Sequence, residues 1–348
     1  MRLVANLSVA AALLGTALLL TGCSKEPFYQ EQAYVFGTIV EVSIYGEEET
    51  KARQGVTAVL HEFQRLHDML HAWKPSALSE LNAAMARSKT RDVTPELAAM
   101  LKDAARISAQ SGGQFNPAIG GLIQAWGFQA DEFKALLPDE KIIAALVKAN
   151  PQMSDLDIGT NTARSVNRAV KLDLGGYAKG YALDRAAVIL QQQGIQNALI
   201  NIGGNVLALG AHGNRAWRVG IQHPRNPGSL ATLELRAGEA IGTSGDYQRY
   251  FELNGKRYCH VIDPRSGWPV QGVQAVTILT RGTRAGLLSD AASKPLFIAG
   301  SAGWRAAARQ MQLDEALLID ADGVVHLTAP LQKRLEFSDS KTVRNVEP

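Results

Sequence analysis

Cysteine is almost missing. The chain has two in 348 residues, Cys23 and Cys259, which excludes a fold organised by a disulfide framework. A long hydrophobic run is missing too. A membrane-spanning helix needs ~20 apolar residues, and the strongly apolar part of the N-terminus extends only from Val9 to Leu20. There is little excess charge: the formal net charge is +3, too small and too evenly spread for a nucleic-acid-binding surface. No internal repeat or low-complexity tract is visible, and neither is the two-lobe repeat of parallel βαβ units that a solute-binding protein would show. Several familiar signatures are also lacking. No glycine cluster has the Rossmann spacing or the Lys-Ser/Thr ending of a Walker A loop. The stretch GTSGDYQRYF, Gly242 to Phe251, lacks the Gly-x-Ser-x-Gly of a nucleophile elbow. His67 and His71 stand at i, i+4, but Asp68 follows the first histidine where a zinc protease has glutamate, so the pair reads as helix surface.

What is present starts with a leader. Met1-Arg2 carries one positive charge, Leu3 to Leu20 is nearly uncharged, and Leu20-Thr21-Gly22-Cys23 follows. A short apolar run ending in small residues reads as a secretory signal. Its last four residues resemble the lipobox of bacterial lipoproteins, which implies cleavage before Cys23 and a diacylglycerol on its thiol. The alternative is an ordinary signal peptide with an incidental cysteine, and the placement of one of only two cysteines here weighs against it. Lipidation of Cys23 leaves Cys259 alone, so no intrachain disulfide is expected even in an oxidising compartment. The expected location is the periplasmic face of the envelope. Ser24, rather than aspartate, favours the outer membrane over the inner. The expected organisation is a signal peptide at 1–22, a lipidated tether at 23–33, one folded domain at 34–335 and a loose polar tail at 336–348. The mature part, roughly 325 residues, suffices for a large domain.

Periodicity supplies the elements. Tyr34 to Gly46 alternates and is rich in β-branched residues, as a strand does. Val56, Val59, Leu60, Phe63, Leu66 and Leu70 recur at helical spacing. Thr94 and Pro95 open a second helix and Gly112 follows its end; a third lies near Asp139 to Asn150. Val170, Leu172 and Leu174 alternate as a strand. Ala178, Ala182, Leu183, Ala186, Ile189 and Leu190 form a helical stripe that Gly194 stops. Asn197 to Gly210 reads as a strand, Tyr250 to Asp263 as a hairpin turning at Asn254-Gly255, and Val273 to Thr280 as another strand. Arg284 to Gly300 reads as a helix with an interruption near Pro295. The fold class is α+β, with mixed and antiparallel sheets and helices.

The most informative stretch is KLDLGGYAKGYALD, Lys171 to Asp184. It places an acid, a glycine pair, a lysine and a third glycine around a strand-to-helix corner. A helix N-terminus presents unpaired N–H groups and positive dipole ends, and glycines let a phosphate approach them. Lys179 adds a mobile charge, while Asp173 is placed to bind a metal, a ribose or a base. A plain corner explains the same residues equally well. In the same way Asn201 to Asn205, NIGGN, reads as a bulge or a close backbone approach. Thr243, Ser244 and Asp246 bind an oxygen-rich ligand or simply turn, and His260 to Val270, HVIDPRSGWPV, is a strand entering a Pro-Gly turn.

Taken in order, DLGGYAKGYALD, NIGGN, TSGDYQRYF, HVIDPRSGWPV and SDAASKPLFIAG resemble the FAD:protein FMN transferase family, the ApbE-type flavin transferases, from about Tyr34 to the end of the 290s. The resemblance implies an ApbE-like, T-fold-related architecture. It implies that FAD is cleaved at its pyrophosphate and that FMN is joined through a phosphoester to a threonine or serine of an extracytoplasmic flavoprotein subunit, with release of AMP. An FAD-binding lipoprotein with little or no transfer, or an FAD pyrophosphatase, is the alternative. By position, the resemblance assigns Phe36 and Trp73 to ring packing. It assigns Gln114, Phe115, Asn116, Asp173, Lys179 and Ile262 to the FAD site; aspartate is usual where Asn116 stands. His260 is the group expected to assist the acceptor hydroxyl. A Mg²⁺ ion is implied on the carbonyls of Gly176 and about Leu287, on Asp290, and on a threonine four residues later. This chain has Lys294 there, and a protonated lysine has no lone pair. Either the metal binds with one ligand fewer, or the ammonium stands in for it.

Overall fold

The computed structural model describes residues 27–347, so the leader and Cys23 lie outside the described residues. The first element among the described residues is a hairpin and not a single strand: Phe28–Val35 pairs antiparallel with Thr38–Tyr45. Its turn is Phe36-Gly37, both at positive φ (57° and 70°), the geometry that matches the twist of the flanking strands. Residues 28–33, expected to be loose, are therefore held by the ladder.

This hairpin forms one edge of a nine-stranded sheet. Next come Ala198–Ile202, Asn205–Leu209, Glu239–Gly245, Val273–Arg281, Glu315–Asp320, Val325–Thr328 and Arg344–Glu347. All neighbours are antiparallel except the last two strands, which are parallel. The stretch Asn197 to Gly210 is thus two strands, and the glycines of NIGGN are their two-residue turn, with φ of 57° and 91°. The expected tail is not loose either. Glu336–Phe337 pairs with Ser229–Leu235, and Arg344–Glu347 extends the main sheet. Both segments are short and mostly polar, with Phe337 alone of their side chains packed against a core, which is why alternation did not reveal them.

Alternation along the central strands decides the layering. Ile200, Leu207, Ala240, Val276, Ile278 and Leu318 face one core. Their neighbours Val206, Ala208, Ile241, Ala275, Leu279 and Leu317 face another. The first core is closed by the helices Glu49–Leu70, Gly175–Gln192, Ala285–Ala291 and Ser293–Gln310. The second is closed by a small sheet, to which Trp217, Ile221, Leu233 and Leu235 contribute. Strands covered on both faces are apolar almost throughout, as Val273–Arg281 is. A third core forms where the helices Gly120–Ala125 and Glu140–Ala149 meet the hairpin Tyr250–Cys259, around Trp126, Phe128 and Ile262.

The cap signals were sound. The Leu97 N–H donates to Thr94 Oγ1 (3.2 Å) ahead of Pro95, and Asn150 ends Glu140–Ala149 in the left-handed conformation. The interruption near Pro295 falls at Ala292, which leaves Pro295 in the first turn of Ser293–Gln310, where a missing N–H costs little. A second break, at Gly300 (φ 68°), had no sequence signal beyond the glycine. Val170, Leu172 and Leu174 are buried alternately but form no strand. Their backbone bonds to Pro117, Ala118 and Gly120 and then stops, because the partner segment turns into a helix. No helix among the described residues is long and apolar enough to cross a membrane.

Candidate active site

The corner at Asp173 is built by the aspartate itself. Oδ1 accepts the Gly175 N–H (2.9 Å) and Oδ2 accepts from Gln129 (2.9 Å). Asp173 therefore holds the turn into Gly175–Gln192, and the glycine pair forms the helix's first turn instead of preceding it. Gly180 has a different reason. A Cβ there would lie 2.4 Å from the Gly286 carbonyl oxygen and 2.7 Å from Asp290 Cβ. Only glycine permits this helix to cross Ala285–Ala291 so closely. Asp184, one turn on, accepts from the Gly286 and Leu287 N–H groups (2.8 and 2.9 Å) and caps that second helix. Its burial pushes its carboxyl up to about 6, and the two N–H groups oppose that rise. The motif thus clamps two helices together and brings Asp290 to the glycine-rich start of the first.

Asp290 is 1% exposed. Its Oδ2 accepts the Gly180 N–H (3.0 Å), and its Oδ1 is bonded to the ammonium of Lys294. The same ammonium donates to the Asp290 carbonyl (2.8 Å), which Ser293 Oγ also reaches (2.7 Å). Ser293 Oγ in turn meets Ser244 Oγ at 2.7 Å. Thr243 Oγ1 meets Thr277 Oγ1 (2.8 Å), and Asp246 is held by Arg225 (2.6 and 2.8 Å). Within the TSGD cluster, Ser244 therefore supports Ser293 under Asp290, while Thr243 and Asp246 are engaged with Thr277 and Arg225. Burial raises the carboxyl of Asp290, but Lys294, Lys179 and the Gly180 N–H outweigh it and hold the acid down at about 2. Lys294 points into the site: a Cβ on Gly176 would lie 3.2 Å from Lys294 Cε. Of the groups expected to hold Mg²⁺, Asp290 is bonded to an ammonium and Gly176 has the stem of the same lysine beside it. An ammonium bonded to this carboxylate repels a divalent ion and offers it no lone pair, so these residues do not fit one.

His260 stands beside Arg249. The Arg249 carbonyl accepts the His260 N–H (3.0 Å) and lies 3.3 Å from its Nδ1. A carbonyl can only accept, so Nδ1 carries the proton and the lone pair is on Nε2. Burial lowers the basicity of this imidazole, and the charges of Arg249, Lys179 and Lys294 lower it further, to about 3. Lys179 itself is half-buried, with no hydrogen bond or ion pair among the described residues. The Arg249 guanidinium donates to the Phe128 carbonyl (2.8 Å) and lies over the rings of Phe133 (5.0 Å) and Trp73 (6.0 Å). It has no ion pair among the described residues, although Asp173 and Asp131 are near enough to oppose the lowering that its burial causes. From Trp73 an aromatic row runs back through His71 (4.4 Å) and His67 (5.1 Å) to Phe36 (5.8 Å). His67 and His71 are thus half-buried links between the two expected packing residues, not plain helix surface.

The remaining expected residues are placed less directly. Phe115 is buried, with its ring 3.7 Å from the Cβ position of Gly176. Gln114 is half-exposed beside it. Asn116 is buried, donates to the Pro151 carbonyl (2.9 Å) and accepts from Ala118 (3.0 Å). An aspartate could not donate to that carbonyl, which gives asparagine a structural reason here. The Ile262 side chain belongs to the third core.

Residues 36–318 match the sequence profile of the ApbE family. The FAD:protein FMN transferase of Klebsiella pneumoniae is 34% identical over 279 residues, covering 75% of this chain and 78% of that one. The chain belongs to the ApbE family. The FAD:protein FMN transferase of Rhodobacter capsulatus is 43% identical over 89% of this chain, which spans 59% of that longer protein. The crystal structure of the ApbE protein of Thermotoga maritima superposes with a TM-score of 0.80 at 27% identity, over 88% of this chain and 99% of that one. Within this ApbE fold, the residue that sequence reasoning missed is Arg249. Its only signal was an arginine among aromatics in DYQRYF.

The geometry makes a titration prediction for His260. An imidazole held near 3 stays neutral from pH 5 to 8, so its NMR resonances should not titrate in that window. Because the folded-state value lies below the unfolded one, the stability linked to this group is fully present above about 6.5. It is lost as pH falls towards 3. A midpoint near 6.5 in the ligand-free protein would contradict the cationic surroundings described here.

Proposed function

We propose that this chain moves FMN from FAD to a threonine or serine hydroxyl of an extracytoplasmic flavoprotein subunit. The observation that carries this reading is the set of three cations, Lys179, Arg249 and Lys294, around one neutral imidazole at the start of the helix Gly175–Gln192. Such a site suits a dianionic diphosphate and a proton acceptor. Phosphoryl transfer asks a protein mainly for positioning and charge neutralisation. The acceptor oxygen attacks the FMN-side phosphorus, and its new P–O bond replaces the bridging one. The electron pair of the broken bond leaves on the phosphate of AMP, while the hydroxyl proton passes to Nε2 of His260. FAD and hydroxyl give FMN ester and AMP, with nothing left over. Burial is the first cause of the low basicity of His260, and the two negative charges of the diphosphate offset the further part that Arg249, Lys179 and Lys294 contribute. The row from Phe36 to Trp73 supplies aromatic faces for the flavin or adenine ring. The family's Mg²⁺ has no part in this scheme, since the residues present do not fit it. With purified protein and FAD, AMP should form only when an acceptor domain is added, in equal amount to flavinylated acceptor. AMP released at the same rate without an acceptor would favour the pyrophosphatase instead.

The location we propose is the periplasmic face of the outer membrane, through a lipid on Cys23. The support is the Leu20-to-Cys23 sequence and a fold whose first strand starts at Phe28, close behind it. Mass spectrometry of the mature N-terminus should find an acylated Cys23; an intact Met1 start would sink the idea.

A further inference from the structure

We propose that Lys294 is the resident cation of this site and takes the place of a divalent metal ion, so that the diphosphate of FAD is neutralised by protein side chains alone. The proposal rests on the transferase reading of the same site and specifies how its charge is handled.

Four observations carry it. The Lys294 ammonium is bound from one residue twice, by Oδ1 and by the carbonyl oxygen of Asp290. An ammonium has three N–H donors, so one remains for a phosphoryl oxygen. The second oxygen of Asp290 accepts the Gly180 N–H (3.0 Å), so both oxygens of the carboxylate already serve protein donors. Gly176, whose carbonyl would be a ligand, has the lysine stem against it instead. Finally, the ammonium cannot easily swing away. The Lys294 side chain is 15% exposed and Asp290 is 1% exposed, and leaving would strand a buried carboxylate without its partner. Thr243, Ser244, Thr277 and Ser293 pair among themselves or support the Asp290 carbonyl, so the neighbouring hydroxyls do not complete an oxygen cage. A point charge on a flexible stem also suits a phosphate. Lys179, with no protein partner among the described residues, and Arg249 supply the further charge that a single ammonium lacks.

The test uses Mn²⁺ as the probe, titrated into FAD-free full-length protein and read by electron paramagnetic resonance. The parent should leave Mn²⁺ free, while Lys294→Thr, which puts back an oxygen donor, should bind about one ion per chain and lose it on adding Asp290→Ala. In EDTA the parent should keep its FAD affinity and its transfer rate. Lys294→Met should weaken FAD binding about tenfold or more, the scale of a lost hydrogen bond to a charged group, and Lys294→Arg should recover part of it. Melting curves of the Met and Arg variants separate loss of charge from loss of fold. Stoichiometric Mn²⁺ binding by the parent that Asp290→Ala abolishes would overturn the proposal. So would a Lys294→Thr chain that ignores Mn²⁺, or a folded Lys294→Met chain with parental FAD affinity. Metal and FAD binding are read without an acceptor. Failed transfer with these results intact would therefore count against the transferase reading and leave the cation assignment standing.

Discussion

Replacing His260 by alanine should slow FMN transfer by about 10²–10⁴-fold, the usual contribution of a positioned proton acceptor, while FAD binds nearly as before. The imidazole is fixed by its bond from Nδ1 to the Arg249 carbonyl, which leaves Nε2 as the only lone pair. It adds no charge to the site, since it is neutral; in the proposed scheme the charge that meets the diphosphate is that of Lys179, Arg249 and Lys294. A single-turnover assay at saturating FAD separates the two effects. The rate of AMP appearance should fall and the FAD dissociation constant should not. If His260→Ala turns over like the parent, the proton leaves by another route and the role assigned to this residue is wrong. Lys179→Ala should show the converse pattern, a weaker FAD complex with a smaller effect on the rate once FAD saturates.

The second large effect concerns stability. Asp290→Ala removes the carboxylate and leaves the Lys294 ammonium, 15% exposed, with only a carbonyl to bond. Breaking a buried pair from one side typically costs about 3–5 kcal/mol, because the surviving charge has been taken out of water and is not compensated. Replacing both partners with apolar groups of similar size typically costs far less. Asp290→Leu with Lys294→Met should therefore be more stable than Asp290→Ala alone. Urea midpoints at neutral pH read the difference. A double variant as unstable as the single one would show that the pair is not what the charge cost depends on.

Much of this site could be read from the sequence, and the reasons differ by residue. Asp173, Gly176, Lys179 and Gly180 were visible because an acid, glycines and a lysine crowd the start of one helix; Asp173 caps the turn and Gly180 permits a close helix crossing, while Lys179 bonds to nothing among the described residues. What the sequence left open was purpose. Asp173 read as a ligand contact, and the structure adds a structural role: its Oδ1 holds the turn and its Oδ2 accepts from Gln129. Gly180 looked like part of a phosphate cradle, but it is a contact between helices. Lys294 was legible as an oddity, and the structure adds its direction: into the site, against Gly176. Arg249 was barely legible, since apart from the aromatics around it neither spacing nor residue type marks an arginine that forms no ion pair among the described residues. The fold was legible where apolar residues alternate. It was not legible at Phe36-Gly37 and Gly203-Gly204, where two-residue turns interrupt continuous β-branched runs, nor in the polar strand Arg344–Glu347, whose pairing is a matter of backbone.

The claim at the centre of this account is that the cationic site transfers FMN covalently. Its most direct measurement is peptide mass spectrometry of an acceptor flavoprotein domain after incubation with FAD and this protein. The account predicts FMN in phosphoester linkage on a single threonine or serine of the acceptor, one AMP for each modified chain, and no adduct with His260→Ala on the same timescale. FAD consumed to free FMN and AMP with the acceptor unmodified would contradict it.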